Sequence, residues 1–202
     1  MCGIVSYIGK KDPVPILLKG LRRLEYRGYD SAGVALLNSE KLQSIKKVGK
    51  VSALESIIDD SPISGYCGIA HTRWATHGEP NDVNAHPHID QTKKIALVHN
   101  GIIENYDSIK EVLKERGVSF TSSTDSEALV QLISELYYNN NEKLSFEDAV
   151  RAALQEVVGA YGIVVICEDE PGKIIAARMG SPLVLGVGDG EFLIASDASP
   201  II

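Results

Sequence analysis

The chain holds only three cysteines in 202 residues (Cys2, Cys67 and Cys167), an odd number with no C-x-x-C pair. A disulfide framework and a zinc knuckle both need paired cysteines, so neither is expected to organise this protein. No apolar run approaches the roughly 20 residues that cross a bilayer as a helix. Basic residues are the scarcer sign: 20 Lys and Arg stand against 27 Asp and Glu, a formal net charge of −7. Nucleic-acid binders draw affinity from clustered Lys and Arg, and this balance argues against that class. The chain opens M-C-G-I-V-S-Y-I-G and reaches Lys10 and Lys11 afterwards, whereas a secretory leader runs basic first and apolar second. These features predict a cytoplasmic protein with no nucleic-acid and no membrane partner.

What remains is ordinary globular composition, 44% hydrophobic and 23% charged. A chain this long buries roughly 70% of the surface its unfolded form exposes and folds without staples. It suits one large domain or two small ones. Cys2 to Ile8 is apolar and β-branched, which predicts a buried strand. Asp12 with Pro13 marks a helix start, and Val14, Leu17, Leu18, Leu21 and Leu24 keep helical spacing up to Gly28. Ala32–Leu37 and Leu42–Val48 read as strands, and Val51, Leu54, Ile57 and Ile58 as a short helix. Ile69–Ala70 and Ile95–Val98 are further apolar runs, separated by a loop rich in His, Pro, Asn and Gly from Thr76 to Asp90.

The middle third carries three helical patterns, around Ile109–Leu113, Leu129–Leu136 and Ala149–Val158, the second capped by Thr124 or Ser126. Strand patterns then return at Ile163–Cys167, Ile174–Ala177, Leu183–Val187 and Phe192–Ala195. Strands, then helices, then strands predict an α+β layered domain rather than alternating βαβ units. The last residues, Ser199-Pro200-Ile201-Ile202, lack a polar finish, which suggests that the natural chain continues.

The most informative residue is Cys2. With Met1 removed it would carry a free α-amine beside its thiol. A terminal amine titrates near pH 7.7–8.0, so a fraction of about a tenth or more is neutral near pH 7 and can accept the thiol proton. From position alone a small buried apolar side chain is the better explanation of Cys2, and the neighbouring blocks change that balance. The blocks H-T-R-W-A-T-H-G-E-P (His71 to Pro80) and H-N-G-I-I-E-N-Y (His99 to Tyr106) follow strand patterns. Arg73 offers a fork for a carboxylate and Trp74 an amphipathic wall. The Asn100 amide and the Gly101 backbone N–H make a plausible oxyanion hole. Asp125, in S-S-T-D-S-E, suits either a substrate ammonium or a helix N-terminus.

Taken together, M-C-G-I-V, R-R-L-E-Y-R-G-Y-D-S-A-G, H-T-R-W-A-T-H-G-E-P, N-A-H-P-H, H-N-G-I-I-E-N-Y and T-D-S-E resemble the glutaminase domains of the glutamine–fructose-6-phosphate aminotransferases. These are class II glutamine amidotransferases, within the N-terminal nucleophile hydrolases. The Arg22–Gly33 and His71–Pro80 blocks set the chain apart from amidophosphoribosyltransferase and asparagine synthetase. The resemblance runs over nearly the whole chain. It implies a four-layer αββα sandwich of two stacked antiparallel sheets flanked by helices, with residues 2–202 as the glutaminase domain and the sugar-isomerase domains absent.

It also implies Cys2 as nucleophile on the side-chain amide of L-glutamine, Asn100 and Gly101 as oxyanion donors, Arg73 on the substrate carboxylate and Asp125 on its ammonium. Trp74, Thr76 and His77 would line a loop closing over the glutamine. Arg27, Tyr29 and His86 would lie near the nucleophile. No cofactor is implied. The partners implied are L-glutamine and the sugar-isomerase portion of a full-length chain, which binds the acceptor fructose 6-phosphate. Whether the full-length enzyme is a homo-oligomer stays open. Ser6 stands where many relatives have glycine, and little consequence is expected.

His86 and His88 are two apart, but no Cys or acidic partner falls at a zinc spacing, so loop hydrogen bonding is expected and a metal is not. His71, His77 and His99 read as scattered. Cys67 and Cys167 read as inert core thiols, and the Lys46-Lys47 pair and the Glu111 to Arg116 charges as solvated. G-V-G-D-G (Gly186 to Gly190) reads as a hairpin turn rather than a phosphate loop. A class II amidotransferase domain feeding a different acceptor, or a non-catalytic glutamine-binding module, remains the alternative.

Overall fold

The computed structural model describes residues 2–39, 41–74, 78–139 and 143–202. Strand β1 (Gly3–Ile8) leads into helix α1 (Pro13–Leu24), whose cap is Asp12: its carboxylate accepts the Val14 N–H at 3.0 Å. Two proline-compatible positions at the helix start and the Leu17, Leu21, Leu24 stripe explain this segment fully. A single 3₁₀ turn (Glu25–Arg27) follows, then β2 (Ser31–Leu37), β3 (Leu42–Val48), α2 (Val51–Asp60), β4 (Cys67–Arg73), β5 (His88–Ile89) and β6 (Ile95–Ile103). Three helices come next: α3 (Tyr106–Glu115), α4 (Asp125–Tyr138) and α5 (Phe146–Glu156). The chain closes with β7 (Gly159–Cys167), β8 (Ile175–Met179), β9 (Val184–Val187) and β10 (Phe192–Ala195).

The strands form two antiparallel sheets, one of six strands ordered β3-β2-β4-β1-β10-β9 and one of four ordered β5-β6-β7-β8. Alternation along each strand builds three apolar layers. Val5 and Tyr7 of β1 face α1 and α2 with Leu17, Leu21 and Leu54. Ile4 looks the other way, into a layer with Ile69, Ala96, Val98 and Val164 between the sheets. Ile95 and Leu97 of β6 face Leu129, Ile133 and Val150 of the helices on the far side. The result is helices, sheet, sheet, helices, the expected four-layer sandwich.

Most of the sequence-based elements stand, including the Asp12 cap and the β9–β10 hairpin, where the Gly188 N–H donates to Glu191 O at 2.9 Å. Thr124 rather than Ser126 caps α4, its hydroxyl accepting the Glu127 N–H at 3.2 Å. Several strands run further than expected. β4 continues to Arg73, β6 to Ile103, and β7 starts back at Gly159, because cross-strand pairing carries polar residues and glycines that interrupt the apolar runs. The short strand β5 arises inside the segment read as loop.

Two readings need correction. Lys47 is solvated and pairs with Asp82, but Lys46 is not on a solvated face. Its Nζ donates to Ala85 O at 2.8 Å, Val83 O at 2.9 Å and Pro87 O at 3.4 Å, and burial pushes its pKa down to about 8. Ser6 is fully buried, and its hydroxyl has no hydrogen-bond partner among the described residues, so the substitution carries a structural cost.

Candidate active site

Alternation within strands decides which polar side chains meet. Cys2 lies two residues before Ile4 and so projects toward the space between the sheets; Arg73 and His71 project the same way from β4, as does Asn100 from β6. At the open edge of that layer lies a cavity of about 470 Å³. Its described lining includes Cys2, Arg73, Trp74, Asn100, Gly101 and Asp125. Arg27 and His86 also line it. Tyr29 is half-buried, two residues before β2, and is not among the residues that line the cavity. Thr76 and His77 lie outside the described residues.

The Cys2 sulfur accepts the Trp74 N–H at 3.2 Å and its S–H faces Trp74 O at 3.5 Å. Burial raises the thiol above its ordinary pKa and Asp30 adds to the rise, opposed by the Trp74 N–H and by the Arg73 guanidinium. The resting group is therefore a thiol, and attack on a carbonyl requires a proton acceptor. Cys67 and Cys167 are wholly buried and pushed up to about 12 and about 11, as the inert reading expected.

Arg73 is only 4% exposed. Its guanidinium donates to Gly78 O at 3.0 Å and Glu79 O at 3.5 Å, and lies 3.9 Å from the Asp30 carboxylate. Trp74 is half-exposed and covers the backbone of Gly28, where a Cβ would fall 2.4 Å from its ring. Opposite, Asn100 donates through Nδ2 to Cys2 O at 3.3 Å. Gly101 has φ +133°, and a Cβ there would lie 2.0 Å from Ala160 O, so only glycine fits.

Asp125 is the first residue of α4 rather than its cap. Its Oδ2 accepts the Ile103 N–H at 2.9 Å, and its Oδ1 accepts from the Ser126 hydroxyl at 3.3 Å. The structure thus brings a thiol, a cation, an anion and an amide donor to one cavity.

Three of the histidines, His71, His86 and His88, form one group of rings. His71 and His86 stack with ring centroids 4.2 Å apart, and His86 meets His88 edge-on at 4.6 Å. His88 Nε2 and the Thr124 hydroxyl are 3.0 Å apart, in line with the hydrogen bonding expected of that loop. His86 departs from it: neither of its ring nitrogens has a hydrogen-bond partner among the described residues. Burial lowers both pKa values well below the ordinary histidine range. Ser181 and Pro182 also line the cavity; they come from a distant part of the chain, and no spacing in the sequence announced them.

Comparison with known proteins identifies the family of the domain. The model of the glutamine amidotransferase domain matches residues 71–202. The chain belongs to this family. It is 57% identical over 203 residues to the glutamine–fructose-6-phosphate aminotransferase (isomerizing) of Bacteroides thetaiotaomicron, a match over 100% of this chain and 33% of the relative. It is 56% identical over 205 residues to that of Chlorobaculum tepidum, again over 100% of this chain and 33% of the relative. The chain therefore spans about a third of the length of the curated relatives it matches.

Among solved structures, the glutamine phosphoribosylpyrophosphate amidotransferase of B. subtilis superposes with a TM-score of 0.84 at 27% identity, over 98% of this chain and 42% of that one. A glutamine aminotransferase class-II domain protein from Silicibacter pomeroyi shares the fold at 13% identity and a TM-score of 0.61, over 96% of this chain and 88% of that one. The four-layer sandwich is thus the amidotransferase form of the N-terminal nucleophile hydrolase fold.

Proposed function

We propose that this amidotransferase domain hydrolyses L-glutamine to L-glutamate and ammonia, with Cys2 as nucleophile. In the full-length enzyme the ammonia would convert fructose 6-phosphate to glucosamine 6-phosphate on a sugar-isomerase portion. One observation carries the reading: Cys2, Arg73, Asn100 and Asp125 line one cavity, and a zwitterionic amide needs one cation, one anion and a donor for its oxygen.

Removal of Met1 turns the Cys2 nitrogen into an α-amine. The sulfur attacks the amide carbon, and the thiol proton passes to that amine. The amide oxygen becomes an oxyanion held by Asn100 Nδ2 and the Gly101 N–H. Collapse breaks the C–N bond, and the leaving nitrogen takes the proton back as ammonia. A γ-glutamyl thioester remains. Water, deprotonated by the same amine, attacks it and releases glutamate and the thiol. Arg73 holds the α-carboxylate and Asp125 the α-ammonium, with Trp74, Thr76 and His77 closing the site. Arg27 and His86 complete the wall beside the nucleophile. A nucleophilic free thiol also suits a reducing compartment, which supports a cytoplasmic location.

The test measures ammonia release and glutamine binding by calorimetry on protein whose first residue is Cys2. Cys2→Ala should abolish release and keep binding. Turnover surviving in that variant would refute the assignment. Binding without release in the unsubstituted protein would favour a non-catalytic module.

A further inference from the structure

His71 lies wholly buried on β4, two residues before Arg73. Its Nε2 is 2.9 Å from Asn100 Oδ1 and 3.1 Å from His99 O. The other end of the same amide, Asn100 Nδ2, is 3.3 Å from Cys2 O. Backbone carbonyls only accept hydrogen bonds. His99 O therefore requires the proton on His71 Nε2, and Cys2 O requires the NH₂ end of Asn100 to face it. Both demands are met by one arrangement. Reversing the amide would set two oxygens against each other at Cys2 and two donors against each other at His71. The Asn100 nitrogen carries two hydrogens; Cys2 O takes one and the second is left for the substrate oxygen.

We propose that His71 is a positioning residue: its Nε2–H clamps Asn100 Oδ1 and so keeps the amide nitrogen, not the oxygen, on the side of the reacting carbonyl. This rests on Asn100 acting as an oxyanion donor. Two facts agree with it. Burial pushes the His71 pKa down to about 3, so the ring is neutral and the clamp adds no charge. His71 Nδ1 has no hydrogen-bond partner among the described residues, so this buried ring carries a cost that an apolar side chain would avoid. Its polar contribution lies on the Nε2 side.

The experiment is steady-state glutamine hydrolysis by His71→Leu, His71→Gln, His71→Asn, Asn100→Ala and the His71→Leu/Asn100→Ala double variant. His71→Leu should lower kcat about tenfold or more, a fraction of the 10²–10³ that a lost oxyanion donor costs, with KM changed less than about twofold. His71→Gln reaches as far as Nε2 and should recover most of kcat; the shorter His71→Asn should not. In the Asn100→Ala background, His71→Leu should cost nothing further, a result a purely structural role would not produce.

Full kcat in His71→Leu, or the same loss with and without Asn100, overturns the proposal alone. Unchanged kcat in Asn100→Ala overturns the oxyanion reading and this proposal with it. Should His71→Leu fail to fold, the Gln and Asn variants decide: equal rates in the two overturn it.

Discussion

Replacing Gly101 by alanine should damage this protein twice over, and the structure gives the size of each effect. An added Cβ would lie 2.0 Å from Ala160 O and 2.8 Å from Ala160 C, both backbone atoms of the paired strand. Ordinary C···O contacts sit near 3.3 Å, so β6 and β7 must part locally by about 1.3 Å. No rotamer relieves a clash between a Cβ and a backbone. The φ of +133° adds about 1–3 kcal/mol for a residue with a side chain, and overpacking about 1–3 more. A loss of about 4 kcal/mol lowers Tm by roughly 8–16 °C in a domain of this size.

The second effect is kinetic. Gly101 follows Asn100, and a shift of about 1 Å in a transition-state donor costs on the order of 10² in kcat. Gly117→Ala is the control. That glycine also has a positive φ, +86°, but nothing lies within 4 Å of its added Cβ, so only about 1–2 kcal/mol should be lost and kcat kept. Calorimetry and an ammonia-release assay on the two variants decide the matter. If Gly101→Ala melts within about 3 °C of Gly117→Ala and turns over like it, the steric argument is wrong.

Arg73→Ala should raise KM for glutamine by about 10² or more and change kcat much less, because a buried guanidinium binds the carboxylate in ground and transition state alike. A large fall in kcat at constant KM would contradict that role. Ser6→Ala removes a buried hydroxyl with no hydrogen-bond partner among the described residues, and should raise Tm by about 2–4 °C, equivalent to about 1 kcal/mol. A lower Tm in a melting experiment would mean the hydroxyl is paired after all.

How far the sequence could be read depended on whether a signal was local. Helix α1 was legible because its cap, prolines and leucine stripe lie within a dozen residues. The ends of β4 and β6 were not, since His71, Thr72, His99 and Asn100 interrupt the apolar runs and are strand residues only by virtue of partners 38 to 64 positions away in Gly33, Ala32, Ile163 and Gly162. Lys46 failed for the same reason. A lysine pair on a strand reads as solvated, and the three carbonyls that receive its ammonium belong to a later segment. The candidate site was legible through its blocks, but their convergence was not. Arg73 and Asn100 lie in different sheets, and no spacing in the chain places them on one cavity.

What the structure adds is the reason those residues converge: parity. Cys2, Ile4, Ile69, His71 and Arg73 all occupy one face of the larger sheet, and Ala96, Val98 and Asn100 the facing side of the smaller one. Apolar members of these series fill the layer between the sheets, His71 is buried with them, and Cys2, Arg73 and Asn100 fall where the layer opens. His99, on the opposite parity, turns toward α4 and meets the Ser126 hydroxyl at 2.9 Å. A one-residue slip of β6 against β7 would exchange Asn100 with His99 and remove the amide from the cavity. The hydrophobic layer therefore does more than stabilise the sandwich. By penalising a slip that would bury His99 between the sheets, it fixes the register on which the Cys2–Asn100 contact depends.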